Sequence, residues 1–99
     1  MKVGIVGFGS IGFDVGRIID HGIENFKLIG ISSRTKGNIL KKISTFKVKP
    51  KVLELDDLCK KSDIIIDCAP KSAFKKILET SLLNQKKLIT ISGSGILEN

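Results

Sequence analysis

The sequence is poor in the side chains that carry metal binding, acid–base chemistry or base stacking. It has no tryptophan, no tyrosine, one histidine and two cysteines in 99 residues. Without tyrosine or tryptophan it offers few platforms for stacking nucleic-acid bases. Cys59 and Cys68 have neither the spacing of a metal site nor that of a redox motif. We therefore expect neither a metal centre nor a nucleic-acid interface.

The scarcity of histidine also limits the chemistry that the chain can perform. His21 is expected at the C-terminal end of a helix, where it complements the helix dipole. Cys68 has no histidine nearby in sequence to activate it as a nucleophile, so we interpret it as a small buried thiol. Asp67 closes an apolar strand and is expected to accept hydrogen bonds from loop N–H groups. No residue is assigned a catalytic role.

Long apolar runs are absent as well. No segment approaches the length needed to span a membrane. Met1 and Lys2 lead directly into an apolar strand pattern, which predicts no secretory signal. Together with two cysteines that form no disulfide pattern, this favours a cytoplasmic location.

Acidic side chains are outnumbered by basic ones. Seventeen Lys and Arg residues against 10 Asp and Glu residues give a formal net charge of +7. The lysines occur in scattered pairs, so a solvated lysine surface explains the charge better than a nucleic-acid site does. The positive field would also favour an anionic dinucleotide.

The most informative segment that is present is KVGIVGFGSIG at residues 2–12. It reads as a short apolar strand, then G-x-G-x-x-G, then the start of a helix, which is the context of a dinucleotide fingerprint. Gly7 allows the tight turn, Gly9 lets the backbone approach a pyrophosphate, and Gly12 lets the helix lie close to the strand. The helix N-terminus then holds the anion. The candidate phosphate-binding residues are Gly7, Gly9, Ser10, Ile11 and Gly12. The alternative is a glycine turn that serves packing alone.

The helix after this motif has amphipathic spacing. Its expected inner face is formed by Ile11, Val15, Ile18 and Ile19. Gly16 lies among them and marks a close crossing over the sheet. Gly22 is expected to end the helix.

The rest of the chain alternates between strand and helix patterns. Strands are predicted at 27–32, 52–54, 63–67 and 87–91, and helices at 35–43, from about 56 to 61, and at 71–84. Thr35 and Asp56 are the expected N-caps of the first two of these three helices. The inner stripe of the last helix is predicted to be Ala73, Phe74, Ile77, Leu78, Ser81 and Leu82. This order predicts an α/β fold of Rossmann type, a doubly wound parallel sheet ordered 3-2-1-4-5 with helices on both faces.

The loop after the second strand bears on the choice of cofactor. The position where a carboxylate would favour NAD is Ser32 or Ser33, and Arg34 and Lys36 follow as cations. Ser33 and Thr35 add hydroxyl groups. We therefore expect NADP to be favoured over NAD, because arginine presents forked donors to a phosphate. In the alternative, Arg34 stacks on the adenine and either cofactor is accepted.

The loops after the fourth and fifth strands are expected to face the nicotinamide, because ligands of such sheets lie at the carboxyl ends of the strands. Ala69 and Pro70 come from the first of these loops and Ser92 from the second.

Several segments together resemble one enzyme family. They are KVGIVGFGSIG at 2–12, FKLIGISSR at 26–34, LDDL at 55–58, SDIIIDCAP at 62–70 and KLITISGSG at 87–95. In this order and spacing they are similar to the N-terminal domain of the L-aspartate dehydrogenase family. Homoserine dehydrogenase and dihydrodipicolinate reductase share parts of the pattern. The resemblance implies oxidation of L-aspartate to iminoaspartate with NAD or NADP, which yields oxaloacetate and ammonia, by a full-length homodimer.

Two departures from that family matter. Its members often carry Asp at the position of Ser33, and they continue into a second domain with the substrate pocket and a catalytic histidine. We therefore expect residues 1–99 to form one dinucleotide-binding domain that is inactive alone. Three other hypotheses remain open: an oxidoreductase similar to homoserine dehydrogenase or dihydrodipicolinate reductase, an NAD(P)-sensing module without catalysis, and a small self-associating domain with an empty site.

Overall fold

Five parallel strands form one sheet in the order β3-β2-β1-β4-β5. The computed structural model describes residues 1–34 and 39–91. The strands are β1 (Lys2–Val6), β2 (Lys27–Ser32), β3 (Lys51–Val52), β4 (Ile64–Asp67) and β5 (Lys87–Thr90). The helices are α1 (Ser10–Gly22), α2 (Ile39–Ile43), α3 (Leu55–Lys61) and α4 (Phe74–Leu83), the last preceded by a 3₁₀ turn at Lys71–Ala73. The predicted Rossmann-type order is confirmed.

Strand β1 lies at the centre of the sheet because it is apolar on both faces. Ile5 of β1 pairs with Ile31 of β2 on one side and with Ile66 of β4 on the other. At the carboxyl end, Val6 pairs with both Ser32 and Asp67. The loops that follow these three strands therefore begin at the same edge of the sheet.

Two apolar clusters cover the two faces of the sheet. The first joins α1 and α2 to the strands through residues such as Ile5, Ile19 and Ile43. It includes three phenylalanine rings, Phe8, Phe13 and Phe46, whose centroids lie 5.8–6.1 Å apart. The second cluster packs α3 and α4 against the other face through Leu58, Ile65 and Ile77.

The inner face of α1 differs from the prediction. Ile11 and Ile18 are 47 % and 59 % exposed, whereas Gly12, Gly16 and Ile19 are buried. A Cβ atom at position 16 would lie 3.2 Å from the Phe46 ring and 3.4 Å from Ile5. The helix lies so close to the sheet that Gly12 and Gly16 face inward together with Ile19, while Ile11 and Ile18 face outward. Gly16 marks a close crossing, as predicted.

Other boundaries shift by a few residues. α3 begins at Leu55, with Glu54 and not Asp56 at its N-cap position. β3 is Lys51–Val52 and not 52–54. α2 is described at Ile39–Ile43, within the predicted 35–43 helix, and Thr35 lies outside the described residues. α1 ends at Gly22, whose φ is +125°, as expected.

The predicted 71–84 helix also changes in detail. Its first residues form the 3₁₀ turn, and the α-helix begins at Phe74. Phe74 and Leu82, predicted to face inward, are 37 % and 64 % exposed, while Ile77, Thr80 and Ser81 are buried. Thr80 tolerates burial because its hydroxyl donates to the Lys76 carbonyl at 2.8 Å.

Within residues 1–34 and 39–91, no helix combines the length and the apolar character needed to cross a bilayer.

The packing of α1 yields a prediction about stability. A Cβ atom at Gly12 would lie 2.2 Å from the Gly7 carbonyl oxygen, so Gly12→Ala must push α1 away from β1. We expect Gly12→Ala to lower the free energy of unfolding by about 1–3 kcal/mol or more, as overpacking does. Gly9→Ala is the matched control, because a Cβ there has no heavy atom within 4 Å and Gly9 has φ −79°. Its effect should stay within about 1 kcal/mol. Urea unfolding of both variants measures this, and equal losses would contradict it.

Candidate functional site

The loops after β1, β2 and β4 border a single depression of about 1060 Å³ at the carboxyl edge of the sheet. Elements α2, α3 and α4 contribute further walls. Its lining residues include Gly7, Phe8, Gly9, Ile11, Ser33, Arg34, Ile39, Lys42, Glu54, Cys68, Ala69, Pro70, Lys71 and Lys76. The depression lies where the strand order reverses beside β1, the usual ligand position in open α/β sheets.

Gly7 ties the turn after β1 to both neighbouring strands. Its N–H donates to the Ser32 carbonyl at 2.7 Å. Its φ is +85°, a value that residues with a Cβ rarely adopt. A Cβ there would also lie 2.7 Å from the Ala69 backbone. Both the conformation and the space at this position therefore require glycine.

Gly9 is different, because the fold itself does not need a glycine there. Its φ and ψ are −79° and −155°, an extended conformation open to other residues. A Cβ atom built on it would meet no heavy atom of the described residues within 4 Å. Gly9 lines the depression, so a Cβ there would have open space around it at the edge of the depression.

Helix α1 begins directly after Gly9. This helix has 13 residues, and its first intrahelical hydrogen bond runs from the Phe13 N–H to the Gly9 carbonyl at 2.9 Å. Among the described residues, no side chain caps this end, and its first turn contains no acidic residue. The first N–H groups of the helix and the positive end of its dipole therefore suit an anion.

The side of the depression next to β2 carries positive charge. Ser33 is half-buried and Arg34 is exposed, and both line the depression. Lys42 of α2 lines the same depression, and its Nζ donates to the Phe8 carbonyl at 3.1 Å. Lys42 was not predicted as a site residue, because the sequence does not reveal which of the two adjacent lysines of α2 faces a site.

The side of the depression next to β4 is built around Asp67. This residue is 1 % exposed, and its Oδ1 accepts the Ala69 N–H at 2.9 Å. Burial raises the pKa of Asp67, and the Ala69 hydrogen bond opposes that shift. Its Oδ2 has no hydrogen-bond partner among the described residues. Asp67 braces the loop that carries Ala69 and Pro70, in agreement with its structural interpretation.

Neither Cys68 nor His21 provides acid–base or nucleophilic chemistry in the depression. Burial, and then the nearby Asp67 carboxylate, raise the pKa of Cys68 to about 11, so the thiol is neutral at physiological pH. A neutral thiol is a poor nucleophile. His21 is exposed at the far end of α1, which is roughly 20 Å long at 1.5 Å per residue.

The predicted site residues divide into three groups. Those that line the depression are Gly7, Gly9, Ile11, Ser33, Arg34, Ala69 and Pro70. Ser10 and Gly12 lie in the first turn of α1 without lining it. Thr35, Lys36 and Ser92 lie outside the described residues.

Glu54 and Lys76 also line the depression but were not predicted from the sequence. Glu54 lies two residues after β3 and directly before α3, in a segment where the strand signal was weak. Lys76 lies on α4, whose orientation depends on packing against the sheet. Neither residue belongs to a sequence motif that would have drawn attention to it.

The strand order, the glycine turn and the uncapped helix N-terminus define the class: a Rossmann-type dinucleotide-binding domain. Solved structures agree on the fold. Apo scyllo-inositol dehydrogenase from Lactobacillus casei superposes with a TM-score of 0.79 at 22% sequence identity, covering 91% of this chain and 27% of that one. The structure of that enzyme with bound cofactor NAD(H) and scyllo-inositol gives a TM-score of 0.78 with the same coverage.

Residues 7–99 match the family described as "Homoserine dehydrogenase, NAD binding domain". The chain belongs to this family of NAD-binding domains. It is also 30% identical, over its whole length, to an L-aspartate dehydrogenase from Bradyrhizobium diazoefficiens, and covers 35% of that protein. A second L-aspartate dehydrogenase, from Methanocella arvoryzae, is 31% identical over 92% of this chain and 34% of its own length.

These similarities confirm the resemblance to L-aspartate dehydrogenase noted in the sequence. The chain spans about a third of the length of the curated relatives that it matches. It is thus an NAD-binding domain like the one in L-aspartate dehydrogenase-like oxidoreductases.

Proposed function

We propose that this chain is the cofactor-binding part of an NAD(P)-dependent amino-acid dehydrogenase that oxidises L-aspartate. The observation that carries the proposal is Gly9, a glycine that neither the backbone conformation nor the packing requires. A bound pyrophosphate supplies the missing reason, because it needs the space that a side chain would fill.

The dinucleotide would lie across the depression in a defined direction. Its pyrophosphate would lie against Gly9 and the N-terminus of α1, where free N–H groups await an anion. The adenosine ribose would point toward Ser33 and Arg34, and the nicotinamide toward Ala69 and Pro70. When bound, the nicotinamide accepts the hydride that the substrate loses. This chain's residues bind and orient it.

The residues next to β2 favour NADP over NAD. Ser33 offers a hydroxyl where a carboxylate would repel a phosphate, and Arg34 lies beside it on the wall of the depression. A guanidinium presents paired donors that match phosphate geometry. The sequence assigns Thr35 and Lys36 to the same contact and Ser92 to the nicotinamide side.

Three candidate groups among the described residues do not serve substrate oxidation in the depression. The Cys68 thiol is neutral, His21 is remote, and the buried Asp67 is engaged with the loop backbone. We infer that the residues acting on the amino acid lie in the part of the relatives that this chain does not cover, and that the whole protein is a homodimer.

Gly9→Val should abolish cofactor binding in a folded protein. The valine Cβ would meet no heavy atom of the described residues within 4 Å beyond its chain neighbours, and its side chain would compete with the pyrophosphate for the space beside the turn. We expect the affinity for either dinucleotide to fall by at least a hundredfold, while circular dichroism stays like that of the parent. Isothermal titration calorimetry measures the affinity. Unchanged affinity would show that the ligand does not lie on this turn.

NADP should bind more tightly than NAD, and Arg34→Ala should reduce the difference between the two affinities. A hydrogen bond to a charged group contributes about 1.5–3 kcal/mol, which corresponds to about ten- to a hundredfold in affinity. Higher salt should weaken the preference, because Arg34 is exposed. Titrations with both cofactors at two salt concentrations measure these effects. If Arg34→Ala weakens both cofactors alike, Arg34 stacks on the adenine instead.

The 99-residue chain should bind cofactor without turning over L-aspartate. Incubated with L-aspartate and either NAD or NADP, it should give no increase at the absorbance band of reduced nicotinamide. Steady turnover by the pure chain would contradict the assignment of catalysis to residues outside it.

A further inference from the structure

Lys42 holds a fixed position beside the glycine turn. Its Nζ donates to the Phe8 carbonyl at 3.1 Å and lies 6.0 Å from the centroid of the Phe8 ring. The hydrogen bond is partly buried and joins residues that are 34 positions apart in sequence. A lysine held in this way loses less conformational freedom on binding a ligand than a freely mobile one.

The ammonium of Lys42 retains binding capacity. It carries three donors, and the Phe8 carbonyl takes one of them. Within residues 1–34 and 39–91, no carboxylate forms an ion pair with Lys42. Lys42 lines the same depression as Ser33 and Arg34. Lys42 is therefore a partly buried cation with unused hydrogen-bond donors, and it lies in the wall of the depression where an anionic group of a ligand would bind.

Its neighbour Lys41 provides an internal comparison. Both lysines belong to the short helix α2, but Lys41 is exposed and does not line the depression. Any effect of the general positive charge of the protein is shared by the two residues. Of the two lysines, only Lys42 can alter ligand affinity by lining the depression.

We propose that Lys42 is a specificity-determining residue that, together with Arg34, distinguishes a dinucleotide carrying a phosphate monoester on its adenosine ribose from one carrying a hydroxyl. This inference rests on the proposed function, since it requires a dinucleotide in the depression. A phosphate dianion gains from two nearby cations, whereas a neutral hydroxyl gains little from either. The competing role is purely structural: Lys42 would only hold the glycine turn through the Phe8 carbonyl.

Lys42→Gln separates these two roles, because the glutamine amide keeps N–H donors for a backbone carbonyl but carries no charge. The experiment titrates the 99-residue chain and its variants with NADP, NAD, 2′,5′-ADP and 5′-ADP. For Lys42→Gln we expect the affinity for NADP and 2′,5′-ADP to fall at least tenfold. The affinity for NAD and 5′-ADP should fall no more than about twofold, and the salt dependence of NADP binding should become shallower.

Two further variants complete the test. Lys42→Arg should keep the NADP preference within about threefold of the parent, and Lys41→Gln should change neither affinity. Equal losses for NADP and NAD in Lys42→Gln, or no loss for either, would overturn the proposal. If the parent chain binds neither dinucleotide, the proposed function fails and the inference falls with it. If the parent chain binds both dinucleotides and Lys42→Gln leaves the ratio of the two affinities unchanged, only the inference about Lys42 is contradicted.

Discussion

The close packing of α1 against the turn after β1 is the contact on which the rest of the structure depends. A side-chain carbon at Gly12 would lie 2.2 Å from the Gly7 carbonyl oxygen, so only glycine allows the helix to start so close to the strand. Gly7 in turn donates its N–H to the Ser32 carbonyl, and a Cβ at Gly7 would collide with Ala69. One turn thus joins β1, β2 and the loop after β4.

This contact also places the electrostatics of the site. Because α1 begins at the turn, its positive dipole end faces the depression, and the level ends of β1, β2 and β4 bring the other loops to the same edge. Arg34 and Lys42 add two cations on the β2 side. The depression therefore combines backbone donors at the start of α1 with positively charged side chains in its walls, an arrangement that suits a dinucleotide phosphate more than a neutral ligand.

The sequence predicted the sheet order and the structural roles of Gly7 and Gly12, because these follow from local patterns and from the handedness of crossover connections. It failed on the inner face of α1. Ile11 and Ile18 looked like core residues, but the close crossing at Gly12 and Gly16 buries a glycine stripe that hydrophobic periodicity does not register. Lys42 was missed for a related reason. Which lysine of α2 reaches Phe8 depends on how that helix packs against the first cluster, and no sequence pattern encodes this. The predicted binding roles of Thr35, Lys36 and Ser92 stay predictions.

The central claim is that a dinucleotide binds at the carboxyl edge of the sheet, and amide chemical-shift mapping tests it most directly. The ¹⁵N-labelled chain would be titrated with NADP and its spectra recorded at each step. The largest shifts should fall on the backbone amides of residues 7–12, of Ser33 and Arg34, and of Ala69. Lys27, Lys61 and Lys86 line a second depression at the opposite, amino edge of the sheet and should shift little. Shifts centred on that amino edge, or no shifts at saturating NADP, would contradict the claim.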